Sequence, residues 1–149
     1  MNQPGQGRRQ LAARMGPTAA TVAANLRRIR KARGLTVYTL SDKVEEAGRT
    51  IHPAAISKIE RQERQTTVDN LMALAAALNV TPSALLLPPD DDPGQTIAIT
   101  GAGPVPADLA WDWVDGARPL TVPDGDQGTA KLDHLLHSRP PGRRTSTEG

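Results

Sequence analysis

The chain has 149 residues, with 18 basic and 16 acidic side chains, no cysteine, no phenylalanine, and Tyr38, Trp111 and Trp113 as its only aromatics. That length holds one domain, or one small domain with appendages, and the lack of cysteine excludes disulfides, thiolate metal sites and cysteine nucleophiles. The net charge of +2 conceals a segregation: residues 1–35 carry eight bases and no acid, 36–65 five of each sign, 66–87 only Asp69, and 88–128 eight Asp against one Arg.

Residues 1–17, rich in Gly, Gln, Arg and Pro, read as a flexible basic arm. They lack the apolar stretch of a secretory signal. From 18 to 33, Val22, Leu26 and Ile29 fall at helical spacing, and Gly34 stops the helix as a C′ residue. Thr36 is a good N-cap for a second helix with Val37, Leu40, Val44 and Ala47 on one face. Leu35 and Leu40 form its hydrophobic staple, and Gly48 ends it. A third helix starts with His52 at N-cap and Pro53 at N1, where the missing N–H costs nothing. Ile51 and Ile56 repeat the staple, and Ile56 and Ile59 face inward. A fourth helix starts near Thr67, buries Leu71, Leu74, Ala75 and Leu78, and ends at Asn79 in the left-handed conformation. A fifth starts at Thr81-Pro82, with Val80 and Leu85 as a third staple, and stops at Pro88. The expected fold over 18–87 is therefore all-α, a compact five-helix bundle.

Beyond Leu87 the composition changes, with nine of the 13 prolines still to come. Residues 88–95 read as an acidic linker. A small appendage over 96–122 holds one short strand at 96–100, a turn at Gly101-Ala102-Gly103 and two turns of helix over 107–114. One of Trp111 and Trp113 is expected to seal it. Residues 123–149 read as a flexible polar tail with an isolated apolar patch at Leu132, Leu135 and Leu136.

Several motifs are set aside. Gly101-Ala102-Gly103 lacks the third glycine and the βαβ surroundings of a nucleotide loop. His134 and His137, beside Asp133, lack the third and fourth ligands of a metal site and read instead as a tail helix. No Ser–His–Asp arrangement has a supporting local motif. The expectation is a protein without enzymatic activity, metal or cofactor. No apolar run approaches the ~20 residues that span a bilayer, so the expected location is the cytoplasm, associated with the nucleoid, with no membrane partner.

The ordered series Arg30-Lys31-Ala32-Arg33-Gly34-Leu35-Thr36, Leu40-Ser41, Ile56-Ser57-Lys58-Ile59-Glu60-Arg61 and 71–80, followed by Pro82, Leu85 and Leu86, resembles the Cro/repressor (XRE) family of helix-turn-helix regulators. The resemblance covers about residues 18–87. It implies a lambda-repressor-like bundle and a sequence-specific DNA-binding transcriptional regulator. Duplex DNA is the implied partner, and a homodimer on inverted half-sites the implied assembly. Leu85-Leu86-Leu87 and the Trp segment are the candidate dimer surfaces.

A major groove admits one α-helix, here about residues 53–61, whose base-facing residues are Pro53, Ala54, Ser57 and Lys58. Lys58 reaches for guanine acceptors, Ser57 takes either hydrogen-bond role, and Pro53 and Ala54 meet thymine methyls. The phosphate set is Thr36, Val37 and Tyr38 at a helix N-terminus, with Arg49, Arg61 and Arg64. Arg8, Arg9 and Arg14 add affinity from the arm. The resemblance further implies a structural pair between Arg30 and Glu60.

Three departures from the family pattern stand out. Val37 replaces the usual Gln, Arg49 and Thr50 are inserted in the turn, and Gln62 stands where a Gly is usual. With Pro53 and Ala54 in reading positions, base-specific hydrogen bonds are sparse and specificity leans on DNA shape. The alternative is an antitoxin-like or regulator-binding module of the same fold, with little DNA affinity.

Overall fold

The computed structural model of the chain describes residues 15–144. Arg8, Arg9 and Arg14, and with them most of the expected arm, lie outside the described residues. Five helices come first: α1 Pro17–Ala32, α2 Val37–Glu46, α3 Pro53–Glu60, α4 Val68–Leu78 and α5 Pro82–Leu86. A hairpin of β1 Thr96–Ile99 and β2 Gly103–Pro106 follows. Next come α6 Ala107–Val114, α7 Thr129–Ser138 and a 3-10 turn at Pro141–Arg143.

Local chemistry explains where the helices begin and end. Thr36, Thr67 and Thr81 each accept a hydrogen bond from a first-turn backbone N–H, and Pro17, Pro53 and Pro82 open three of the helices. The exits of α1 to α4 share one geometry, the Schellman motif, with its pair of reversed backbone bonds. At the end of α2, Gly48 N–H donates to Glu45 O at 2.9 Å and Arg49 N–H to Val44 O at 3.2 Å. The residue that turns left-handed is Gly34, Gly48, Gln62 and Asn79 in turn.

The bundle closes over Leu26, Leu40, Val44, Ile56, Ile59, Leu74, Leu78 and Leu85, each fully buried. Leu85 and Leu87 are part of this interior, at 0% and 3% exposure. This corrects the expectation of a dimer surface at Leu85-Leu86-Leu87. α5 is a single turn packed inward, and of the three leucines only Leu86 is half-buried rather than buried. Asn25 is the polar residue at the centre of that packing. Its buried amide donates to Leu85 O at 3.0 Å and Leu87 O at 2.8 Å. It thereby satisfies carbonyls that a helix end leaves open.

The chain divides into two units. The first runs through Pro89 and takes in Ala98–Gly103, so the hairpin tip groups with the helical bundle rather than with the rest of the expected appendage. Two reciprocal bonds fasten it: Thr18 N–H donates to Thr100 Oγ1 at 3.1 Å and Thr100 N–H to Thr18 Oγ1 at 3.0 Å. Gly16 leaves room for this approach, because a Cβ there would collide with Thr100 Oγ1.

The second unit is Asp90–Ile97 with everything from Pro104. Within it Trp111 Nε1 donates to Asp90 O at 3.1 Å, and Arg118 bridges Asp108 and Asp112 at 3.4 and 3.3 Å. Two elements differ from expectation. β2 pairs with β1 despite Pro104 and Pro106, which a two-stranded ribbon tolerates because both its strands are edges. α7 extends the tail helix read at His134 and His137 to ten residues, Thr129–Ser138, within the segment otherwise read as a flexible tail. Asp126 opens it by accepting from Gly128 N–H at 3.0 Å and Ala130 N–H at 3.2 Å, and Arg144 meets the carbonyls of Leu136 and Arg139 at its end, both at 2.9 Å. It buries no residue fully.

Candidate nucleic-acid interface

α2, the turn over 47–52 and α3 are locked together by polar bonds as well as by the core. Ser41, buried on α2, donates its hydroxyl to Ile51 O at 2.6 Å. Ile51 itself is buried, so the residue before the α3 N-cap is held from both sides. Arg49 does not project from the turn unattached. Its Nε donates to Oδ1 of the buried Asn70 at 2.7 Å, and a second nitrogen stands 4.0 Å from Asp69. The inserted pair Arg49-Thr50 is therefore accommodated by tying the longer turn to the start of α4.

α3 buries Ala55, Ile56 and Ile59. Ala54 and Lys58 are exposed on its other side, with Pro53 and Ser57 half-buried beside them. The four base-facing candidates thus lie together on the face turned away from the core. Glu60, the only acid of α3, is withdrawn from that face. Its carboxylate accepts two bonds from Arg30, from Nε and Nη2, both at 2.8 Å, and its side chain is only 5% exposed. A third Arg30 nitrogen donates to Leu35 O at 2.8 Å, so one guanidinium joins α1, the α1–α2 turn and α3. The bonds to Glu60 hold the Arg30 guanidinium above its ordinary pKa, against the opposing effect of burial. It stays charged in the pair.

A family model described as helix-turn-helix matches residues 26–85. The matched residues run from within α1 into α5 and take in the whole of α2, the turn and α3. A search of the solved structures finds the restriction-modification controller protein C.AhdI from Aeromonas hydrophila. The match is 27% identical, spans 45% of this chain and 94% of that one, and has a TM-score of 0.40. No curated protein matches the chain. The family match supports a DNA-binding regulator.

The N-terminus of α2 offers fewer donors than its sequence suggests. Thr36 uses its N–H on Thr39 Oγ1 at 2.8 Å, and its own oxygen accepts from Thr39 N–H at 3.1 Å. The Val37 and Tyr38 N–H groups of the first turn remain, beside a Tyr38 side chain that is 68% exposed. Arg61 and Arg64 are both exposed where the domain leaves α3. Arg61 faces Glu63 at 3.2 Å, whereas Arg64 has no ion-pair partner among the described residues.

The buried roles of Asn25, Ser41 and Asn70 escape the sequence reading, in which Ser41 figures only as part of the resemblance. Each is a small polar residue inside a helix, and nothing local distinguishes it from a solvated one. Among the described residues no group of three or more His, Cys, Asp or Glu is placed to hold a metal, and no helix is long and apolar enough to cross a membrane.

Proposed function

We propose that the protein is a sequence-specific transcriptional regulator that binds duplex DNA as a homodimer, with α3 in the major groove. The observation that carries this reading is the burial of Glu60 against Arg30, which leaves Lys58 on an outward helix face relieved of the helix's one acid, with Arg61, facing Glu63, and Arg64 just beyond the helix end. Lys58 and Ser57 are the hydrogen-bonding readers, with Pro53 and Ala54 as apolar contacts. Arg61, Arg64 and the Val37 and Tyr38 N–H groups position the domain on phosphates. Arg49 and Thr36 serve mainly by fixing the turn and capping α2, and Arg30 and Glu60 are a structural pair. In this reading 18–87 is the DNA-binding domain and 88–95 a linker to the remainder.

The test is capture of host genomic fragments on the purified protein at about 0.15 M salt, where weak phosphate contacts are largely screened. Enrichment of a few sites sharing a two-fold motif is the expected result. Uniform recovery means backbone binding without sequence reading. No recovery transfers the weight to the protein-interaction alternative.

A further inference from the structure

A groove of about 420 Å³ opens in the first unit, between the start of α1, the loop over 61–67 and the first turns of α4. Its size falls within the range of about 300–1,000 Å³ usual for small-molecule sites. The walls are mainly apolar, with Ala19 and Val22 from α1, Leu71 from α4 and Leu86 from α5. Thr100, clasped to Thr18 and seated over Gly16, supplies another wall from the hairpin tip. Val68, 78% exposed, stands at the margin.

Among the described residues Arg64 is the only charged one lining the groove. The acids nearest to it in sequence are engaged elsewhere: Glu63 faces Arg61 at 3.2 Å, Glu60 pairs with Arg30 at 2.8 Å and Asp69 leans toward Arg49 at 4.0 Å. The N-terminus of α4, beside Thr67, adds partial positive charge at the same end. Among the described residues the groove is thus an apolar trough with one cation, Arg64, free of an ion pair at its rim.

We propose that it binds an amphipathic monocarboxylate, with the alkyl chain along Ala19, Val22, Leu71 and Leu86 and the carboxylate on the Arg64 guanidinium. A planar guanidinium pairs bidentately with a carboxylate, and the walls favour an aliphatic chain over a polar one. Resting on the DNA-binding reading above, such a ligand removes Arg64 from its phosphate and weakens the complex.

Calorimetric titration of the full chain with decanoate, decanol and decyltrimethylammonium tests this. Decanoate should bind saturably at one per chain, and decanol about tenfold or more weaker for want of the charged pair. Arg64→Gln should erase that difference. Ala19→Met, which fills the trough, should weaken decanoate and decanol together with the helical circular dichroism unchanged. Equal affinity for decanoate and decanol, full affinity in Arg64→Gln, or no saturable binding overturns the proposal. The titration involves no DNA, so it decides the groove even if DNA binding fails. If DNA does bind, decanoate should loosen it in the wild type.

Discussion

Lys58 and Arg61 are three residues apart and differ in what their loss should do. Lys58 stands on the exposed side of α3 among the base-facing candidates, whereas Arg61 caps the helix at its exit. A lysine on guanine acceptors discriminates between bases, by about 1–3 kcal/mol for a good contact. An arginine on phosphate holds every sequence equally. Lys58→Ala is therefore expected to lose more affinity for its operator than for random duplex, and Arg61→Ala to lose the same from both. Equal losses for Lys58→Ala, read in a competition titration, would contradict its place as a reader. Glu60 makes a second, independent case. Both partners of its pair with Arg30 are largely shielded, and removing one leaves a charge without its counter-ion. Glu60→Ala is expected to cost about 3 kcal/mol in urea unfolding, and the double variant with Arg30→Ala less than the sum of the two singles. A loss below about 1 kcal/mol would place the pair in the class of exposed salt bridges.

The elements owe their ends to single residues, and α3 has the least comfortable one. Gln62 holds φ +59° in the position that Gly34 and Gly48 fill for α1 and α2. A non-glycine residue pays roughly 1–2 kcal/mol for that conformation, partly offset by the greater unfolded freedom of glycine, so Gln62→Gly should stabilise the domain by about 0.5–1 kcal/mol. Thermal unfolding checks it, and a lower melting temperature would show that the Gln62 side chain contributes something the backbone argument omits. Strain of this kind is legible in sequence, because caps, staples and left-handed exits depend on residues three to five apart. The five helices of the bundle were readable for that reason. What was unreadable joins distant positions. The Asn25 amide meets carbonyls 60 and 62 residues away, and Arg49 finds Asn70 only because the turn folds back on α4. The inward packing of Leu85 and Leu87 likewise depends on α1, not on their own neighbours. β2 was hidden by its prolines, whose missing N–H groups argue against a strand unless the strand is an edge.

At the scale of the whole molecule the net charge of +2 is too small to draw the protein to DNA, so attraction must come from the few cations presented on one face. That makes salt dependence a count of them. Each phosphate neutralised on a duplex contributes about −0.9 to the slope of log affinity against log salt. Arg61 and Arg64 are the exposed phosphate candidates at the exit of α3, Arg61 exchanging Glu63 for a phosphate, while Arg49 is tied to Asn70 and Arg30 to Glu60. One subunit on one half-site should then give a slope of about −2, and a two-fold pair about −4. Half-sites one helical turn apart, about 34 Å, should accompany the steeper value. Each arm arginine that reaches the backbone adds about one more unit, so replacing Arg8, Arg9 and Arg14 by glutamine measures the arm separately. Filter binding across a salt series resolves these cases. A slope near −2 on a site without two-fold symmetry would rule out the dimer while keeping the phosphate assignment. A slope near zero would remove Arg61 and Arg64 from the interface altogether.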